Sequence, residues 1–200
     1  MSDILTQKIY TTTGLVKENI FEGKKVLHLG CGHSKLLGTI GVDILPHGEV
    51  DVVHNLDQYP WPFEPHSVDV VFAHSVIEHI DNIVALFEEL ARILKPGGRV
   101  IITVPHFRST DSFTDPTHKH FFTSQSLDYF IENSGQLSHY GYTKQQFTKV
   151  GFWYSWPIPS KNIFTQIFKN FIQKHARFYD QYFSNIIPVK TITWELELKK

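Results

Sequence analysis

The chain has 200 residues, a length that fits one domain with a self-sufficient core. Its 42% hydrophobic and 20% charged content is ordinary for a soluble globular protein, and 19 basic against 20 acidic residues exclude a global electrostatic footprint for nucleic acid or an acidic membrane. A single cysteine, Cys31, excludes an intrachain disulfide framework and a cysteine-based zinc site, and with no signal-peptide pattern and no run near the ~20 apolar residues of a membrane span the expected location is cytoplasmic.

Residues 3–20 read as a weak helix interrupted near Gly14. Short apolar strands follow at 25–29, 39–43, 50–54 and 68–73, the composition of a parallel sheet buried on both faces. Ile83, Leu86, Phe87, Leu90, Ile93 and Leu94 recur at three- and four-residue steps and predict a helix, capped by Asp81 and ended by Pro96-Gly97-Gly98. A fifth strand is expected at 100–104, and the alternation implies right-handed strand–helix–strand units in a doubly wound sheet. Beyond it come a polar, histidine-rich loop at 106–122, a helix at 124–133 and strands at 147–156 and 191–198. An aromatic helical stretch at 160–184 separates the last two strands. It reads as a helix laid on the core, or else as a lid, a dimer face or a greasy acceptor surface, so a homodimer stays open.

The run His28-Leu29-Gly30-Cys31-Gly32-His33-Ser34 leaves the first of the parallel strands. Glycines let a backbone approach a ligand closely and a helix start offers free amides, so this turn is a candidate ligand cradle or an ordinary tight turn. Asp43 closes the next strand, where such folds hold ribose hydroxyls through a carboxylate; its plainer role is a strand-end turn. Asp57, on the same edge, is placed to accept from an adenine amino group or to cap a turn.

Gly30-Cys31-Gly32, Gly41-Val42-Asp43, Asn55-Leu56-Asp57, the run from Ser67 to Ile80 and the run from Leu90 to Val100 stand in one order. Together they resemble the class I S-adenosylmethionine-dependent methyltransferases, in their small-molecule, type 11-like branch, over about residues 25–105. The resemblance implies a Rossmann-like, doubly wound seven-stranded α/β sheet, mostly parallel with one antiparallel strand, and S-adenosyl-L-methionine as cofactor. One domain over residues 1–200 with a helical insertion at about 158–188 is expected. Carried across, Gly30 and Gly32 lie under the methionine part of the cofactor and Asp43 holds the ribose, with Cys31 and Ile44 also assigned to the cofactor site. Leu56 and Asp57 face the adenine, and His74 lies beside the sulfonium and the acceptor. His28, also assigned to the cofactor site, stands where the family usually has an acidic residue that orients the amino-acid end, and Ser34 stands where a third glycine is common.

His106, Asp115, His118 and His120 crowd the loop that leaves the fifth strand at the ligand-binding edge. Three roles are open. His118 or His106 is a general base for an acceptor hydroxyl, with Asp115 orienting the imidazole; or His118, His120 and Asp115 hold a divalent metal; or the group only pins the loop. His74, Glu78 and His79 are further candidates for the proton, and no metal is assigned. The expected activity is methyl transfer to a small molecule or carbohydrate, at a hydroxyl oxygen. A protein or RNA methyltransferase and an inactive cofactor-binding partner subunit are the alternatives. The Asn/Asp-Pro-Pro-aromatic run of nucleobase amino-methylating enzymes is absent, Ala73-His74-Ser75-Val76 standing there, and no nucleic-acid partner is expected.

Overall fold

Strands made almost wholly of apolar side chains have to be covered on both faces, and this requirement organises the chain. The structure is a computed structural model that describes residues 9–11, 14–15, 21–144, 146–155, 160 and 162–199. Its short N-terminal pair, β1 (Tyr10–Thr11) and β2 (Gly14–Leu15), is antiparallel. The weak helix expected over 3–20 is therefore not what these four residues form, and most of the rest of that span lies outside the described residues.

The main sheet comprises β3 (Val26–Leu29), β4 (Ile40–Asp43), β5 (Val52–Val53), β6 (Val68–His74), β7 (Leu94–Pro105), β8 (Phe147–Tyr154) and β9 (Thr191–Leu198). Their order is β5-β4-β3-β6-β7-β9-β8, and β9 runs antiparallel to both neighbours while the pairs from β5 to β7 are parallel. This is the seven-stranded, mostly parallel Rossmann-like sheet expected from the sequence. Leu27, Leu29, Val71, Ala73 and Trp194 face one layer of core, where Leu86, Phe87 and Leu90 of α1 (Ile83–Ile93) cover them. Val26, Val70, Phe72 and Ile101 face the other, thinner layer, closed by Ile9, Phe21 and Leu36.

Local chemistry moved several boundaries. Asn82, not Asp81, caps α1: its side chain accepts from Ala85 N at 3.0 Å, while Asp81 pairs with Lys119. The helix ends at Ile93 and the chain enters β7 at once; Lys95–Gly98 then bulge between the Val68–Leu94 and Val70–Arg99 pairs. The helix expected at 124–133 shrinks to one 3₁₀ turn, Asp128–Phe130. Lys149 reaches across from β8 to Asp128 (2.8 Å), and the Ser134 hydroxyl lies against the Asp128 and Ile131 carbonyls that a continuing helix would use. The histidine-rich loop carries the short helix α2 (Asp111–Thr114), and the aromatic stretch between β8 and β9 forms α3 (Ile163–Lys174), α4 (Ala176–Phe178) and a π turn, Tyr179–Phe183. Ile172 and Tyr179 are buried there, but Phe164, Ile167, Phe171, Phe178, Tyr182 and Phe183 are exposed, so the insertion is only partly laid on the core.

The antiparallel strand is tied in by charge. Arg99 on β7 donates to Glu195 (2.8 Å) and Glu197 (3.1 Å) on β9, and the Glu195 side chain is fully buried. Removing one partner of a buried pair strands the other charge. Arg99→Met should lower the unfolding free energy by about 3–5 kcal/mol in urea denaturation; a loss below about 1 kcal/mol would show that the guanidinium does not hold this pairing.

Candidate active site

The chain steps outward from β3 to β4 and β5, then returns to β6, which leaves a crevice at the carboxyl ends of β3 and β6. Gly30 turns the backbone out of β3 with a φ of 59°, and a Cβ there would lie 2.6 Å from Val76 Cγ2, so only glycine lets the two strand exits touch. The segment over residues 30–39 forms turns and no helix. Its amides are satisfied otherwise. Gly32 N donates to Asp43 Oδ2 at 2.9 Å, Cys31 N to the Val42 carbonyl at 3.3 Å and Leu36 N to His28 Nδ1 at 3.1 Å. His28 therefore points to the sheet's thinner layer, edge-on to Phe72, rather than into the crevice. Burial, reinforced by nearby His74, pushes its pKa down to about 4, so the ring is neutral and acts as an acceptor for the loop.

The other residues assigned to the cofactor separate into two groups. Asp43 is half-buried at the crevice, with Leu45 N on its second oxygen (3.2 Å), and Ile44 beside it is exposed. Cys31 and Leu56 are buried in the core, so they can offer a ligand little but backbone. Asp57 accepts from Asp81 N at 2.8 Å, a link to the segment before α1, and keeps its other oxygen 3.8 Å from Lys119. His74 ends β6, and burial lowers its pKa.

Beside the crevice, at the ends of β6 and β7, opens a cavity of about 550 Å³ lined by Ser75, Glu78, Pro105, Asp111, Thr114, Asp115, Pro116 and His118. Ser75, with a φ of 51°, sends the chain from β6 into a 3₁₀ turn, Ile77–His79, whose apolar Ile77 and Ile80 sink into the core. That anchoring carries Glu78 inside: the residue is 1% exposed, and neither carboxylate oxygen has a hydrogen-bond partner among the described residues. Burial raises its pKa to about 7. Opposite stands His118, with Nε2 3.9 Å from Glu78 Oε1 and its ring edge-on to His79 at 4.7 Å between centroids. The loop is fastened here, because Lys119 N and His120 N both donate to the Glu78 carbonyl (2.8 and 3.2 Å).

The expected loop assignments divide accordingly. His118 lines the cavity, but its ring is oriented by the Ser112 carbonyl (Nδ1 at 2.9 Å) and not by Asp115, whose Oδ1 takes the Thr117 amide and hydroxyl instead. His120 is turned away, its Nε2 on the Ile80 carbonyl at 2.8 Å. His106 is 0% exposed and far from the role of base: Nε2 is 3.0 Å from Asp180, which also accepts from Tyr154 Oη and Ser124 N. Burial alone would raise the Asp180 pKa, yet these hydrogen bonds together hold it below the usual carboxylate value. His106 is a rivet between the loop and the insertion, and no local signal in the sequence pairs it with a carboxylate on the π turn. Glu78 was the less obvious member of the site; the sign in the sequence is a charged pair, Glu78-His79, set between the two apolar residues Ile77 and Ile80.

Residues 27–102 match a family model described as a methyltransferase domain. A Mycolicibacterium smegmatis protein named as a probable S-adenosylmethionine-dependent methyltransferase is 28% identical over 134 residues, covering 56% of this chain and 52% of that protein. Solved S-adenosylmethionine-dependent methyltransferases from Archaeoglobus fulgidus and Mesorhizobium loti both align with a TM-score of 0.53, at 18% and 14% identity, over 88% of this chain and 87% and 92% of theirs. The chain thus matches a methyltransferase domain model over residues 27–102 and shares its fold with these S-adenosylmethionine-dependent methyltransferases. It spans about half or less of the length of the curated relatives it matches. Among the described residues, no helix is long and apolar enough to cross a membrane.

The neutral His28 has a consequence for stability. Its pKa is about 4 in the fold and near 6.5 when exposed, so below pH 6.5 the unfolded chain takes up a proton that the folded one refuses. Its contribution is complete above pH 6.5 and is lost as the pH falls toward 4, at roughly 1 kcal/mol per pH unit. Urea denaturation at pH 7 and 4.5 should show that slope in the wild type and a shallower one in His28→Gln, while equal slopes would remove His28 as the cause.

Proposed function

We propose that the chain binds S-adenosylmethionine in the β3–β6 crevice and transfers its methyl group to a hydroxyl oxygen of a small molecule or carbohydrate held in the adjoining cavity. The crevice fits that cofactor. A Cβ at Gly32 would meet nothing within 4 Å, which leaves open room over the turn, and Asp43 retains lone pairs for ribose hydroxyls. When bound, the cofactor supplies a methyl on a cationic sulfur, a donor already activated, so the protein's main task is to place the acceptor in line with it. The transfer forms an O–CH₃ bond as the S–CH₃ bond breaks; S-adenosylhomocysteine leaves, and the hydroxyl proton has to find a base.

The observation that carries this reading is the pairing of a ligand-sized cavity with proton acceptors on its wall. A volume of about 550 Å³ lies in the range of small-molecule sites, and Ser75, Asp111, Thr114 and Asp115 offer the hydroxyls and carboxylates that suit a polyhydroxylated acceptor. This acidic lining is a poor match for the phosphates of RNA. His118 and Glu78 form the face toward which the acceptor's proton leaves.

Calorimetry should detect binding of S-adenosylmethionine and S-adenosylhomocysteine but not of NAD, with Asp43→Ala weakening it by ~1–3 kcal/mol. His118→Ala should lower turnover ~10²–10⁴-fold, with cofactor affinity barely changed. A His118→Ala protein that melts early yet turns over normally would reduce this histidine to scaffolding. Failure to bind the cofactor would sink the reading as a whole.

A further inference from the structure

The cavity wall holds an arrangement that hydroxyl activation by a lone imidazole does not explain. Ligand-capable atoms of Glu78, His79 and His118 all lie within 4.8 Å of one another, and neither Glu78 oxygen has a donor among the described residues. A buried carboxylate without donors is strongly unfavourable unless a cation faces it or it takes up a proton.

The imidazoles are set to complement it. The Ser112 carbonyl can only accept, so His118 carries its proton on Nδ1 and presents Nε2 as a bare lone pair toward Glu78. The Thr117 hydroxyl spends its one proton on Asp115 Oδ1 (2.7 Å), so it must accept from His79 Nδ1 (2.9 Å), which leaves Nε2 as that ring's lone pair. Two histidines that each donate one ring N–H to a fixed oxygen, beside a carboxylate with nothing to accept, form the outer support that metal-binding imidazoles require. The fastening of Lys119 and His120 amides to the Glu78 carbonyl keeps both segments in register.

We infer that Glu78, His79 and His118 bind one first-row divalent metal ion on the cavity wall. Two imidazoles with one carboxylate favour zinc, iron or manganese over magnesium or calcium, whose preferred ligands are all oxygen. Metal–ligand bonds of about 2.0–2.2 Å put ligand atoms ~3–3.5 Å apart, so the side chains need close by no more than about 2 Å. Three protein ligands leave positions open, and since Glu78 and His118 line the cavity, those positions face the acceptor. An oxygen of an acceptor bound there would become more acidic. This set replaces the Asp115, His118 and His120 set read from the loop's sequence: His120 is spent on the Ile80 carbonyl, and Asp115 supports His79 through Thr117.

The inference builds on the reading of the cavity as the acceptor site, but ion binding is measured without cofactor or acceptor. The full chain, stripped with EDTA and dialysed, is titrated with Zn²⁺ by calorimetry. One saturable ion per chain is expected. Glu78→Gln and His118→Ala should each lose more than ~100-fold in affinity, and Thr117→Val, which frees the His79 proton, ~10–100-fold. His120→Gln should bind like the wild type. Thermal melts in EDTA identify any variant that fails to fold, and the wild-type titration stands without them. Absence of a saturable site in the wild type, or Glu78→Gln binding as tightly as the wild type, overturns the metal site. A chain that binds S-adenosylmethionine but no zinc refutes this inference alone, and one that binds zinc but no cofactor refutes only the methyl-transfer reading.

Discussion

Because the sheet grows outward from β3 and then resumes at β6, two strand exits meet at its carboxyl edge with no strand between their turns. The contact between Gly30 and Val76 is where that geometry is tightest, since a side chain at Gly30 would overlap Val76 and would have to adopt a positive φ. The crevice and one wall of the cavity hang from these two exits, and the loop after β7 supplies the facing wall. The β3 exit delivers the glycine turn against Asp43. The β6 exit delivers Ser75, then Glu78 and His79, to the mouth of the cavity.

The connection from β3 to β4 shows how local chemistry replaces regular structure. A helix would satisfy most of its own amides; turns over 30–39 cannot. Asp43 and His28 supply the missing acceptors, and His28 can do so only while neutral. The same logic runs through the residues packed against the histidine-rich loop, where Asp180 gathers three donors, His106 among them, while Glu78 is buried with none among the described residues. One carboxylate is a structural tie because its hydrogen bonds are complete. The other lines the cavity with its hydrogen bonds unmade among the described residues.

How far the fold was legible follows from the range of the interactions concerned. Val68–His74 is nearly a run of buried apolar residues, and Thr191–Leu198 alternates Ile192, Trp194, Leu196 and Leu198 with polar residues; both patterns can be read directly. The lost helix at 124–133 was not legible, since it depends on Lys149 reaching Asp128 from another strand. Of the site, the glycine turn, Asp43 and His118 could be named from position alone. The retirement of His106 needed Asp180, a residue far along the chain, and the prominence of Glu78 rests on donors that are missing around it, which no motif can display.

A crystal structure with S-adenosylhomocysteine tests the central claim most directly, because the sulfur marks where the methyl group starts. The account predicts the ribose on Asp43, the amino-acid end over Gly30 and Gly32, and the sulfur facing the cavity walled by Glu78 and His118. A ligand seated elsewhere, or a sulfur directed away from that cavity, would contradict it.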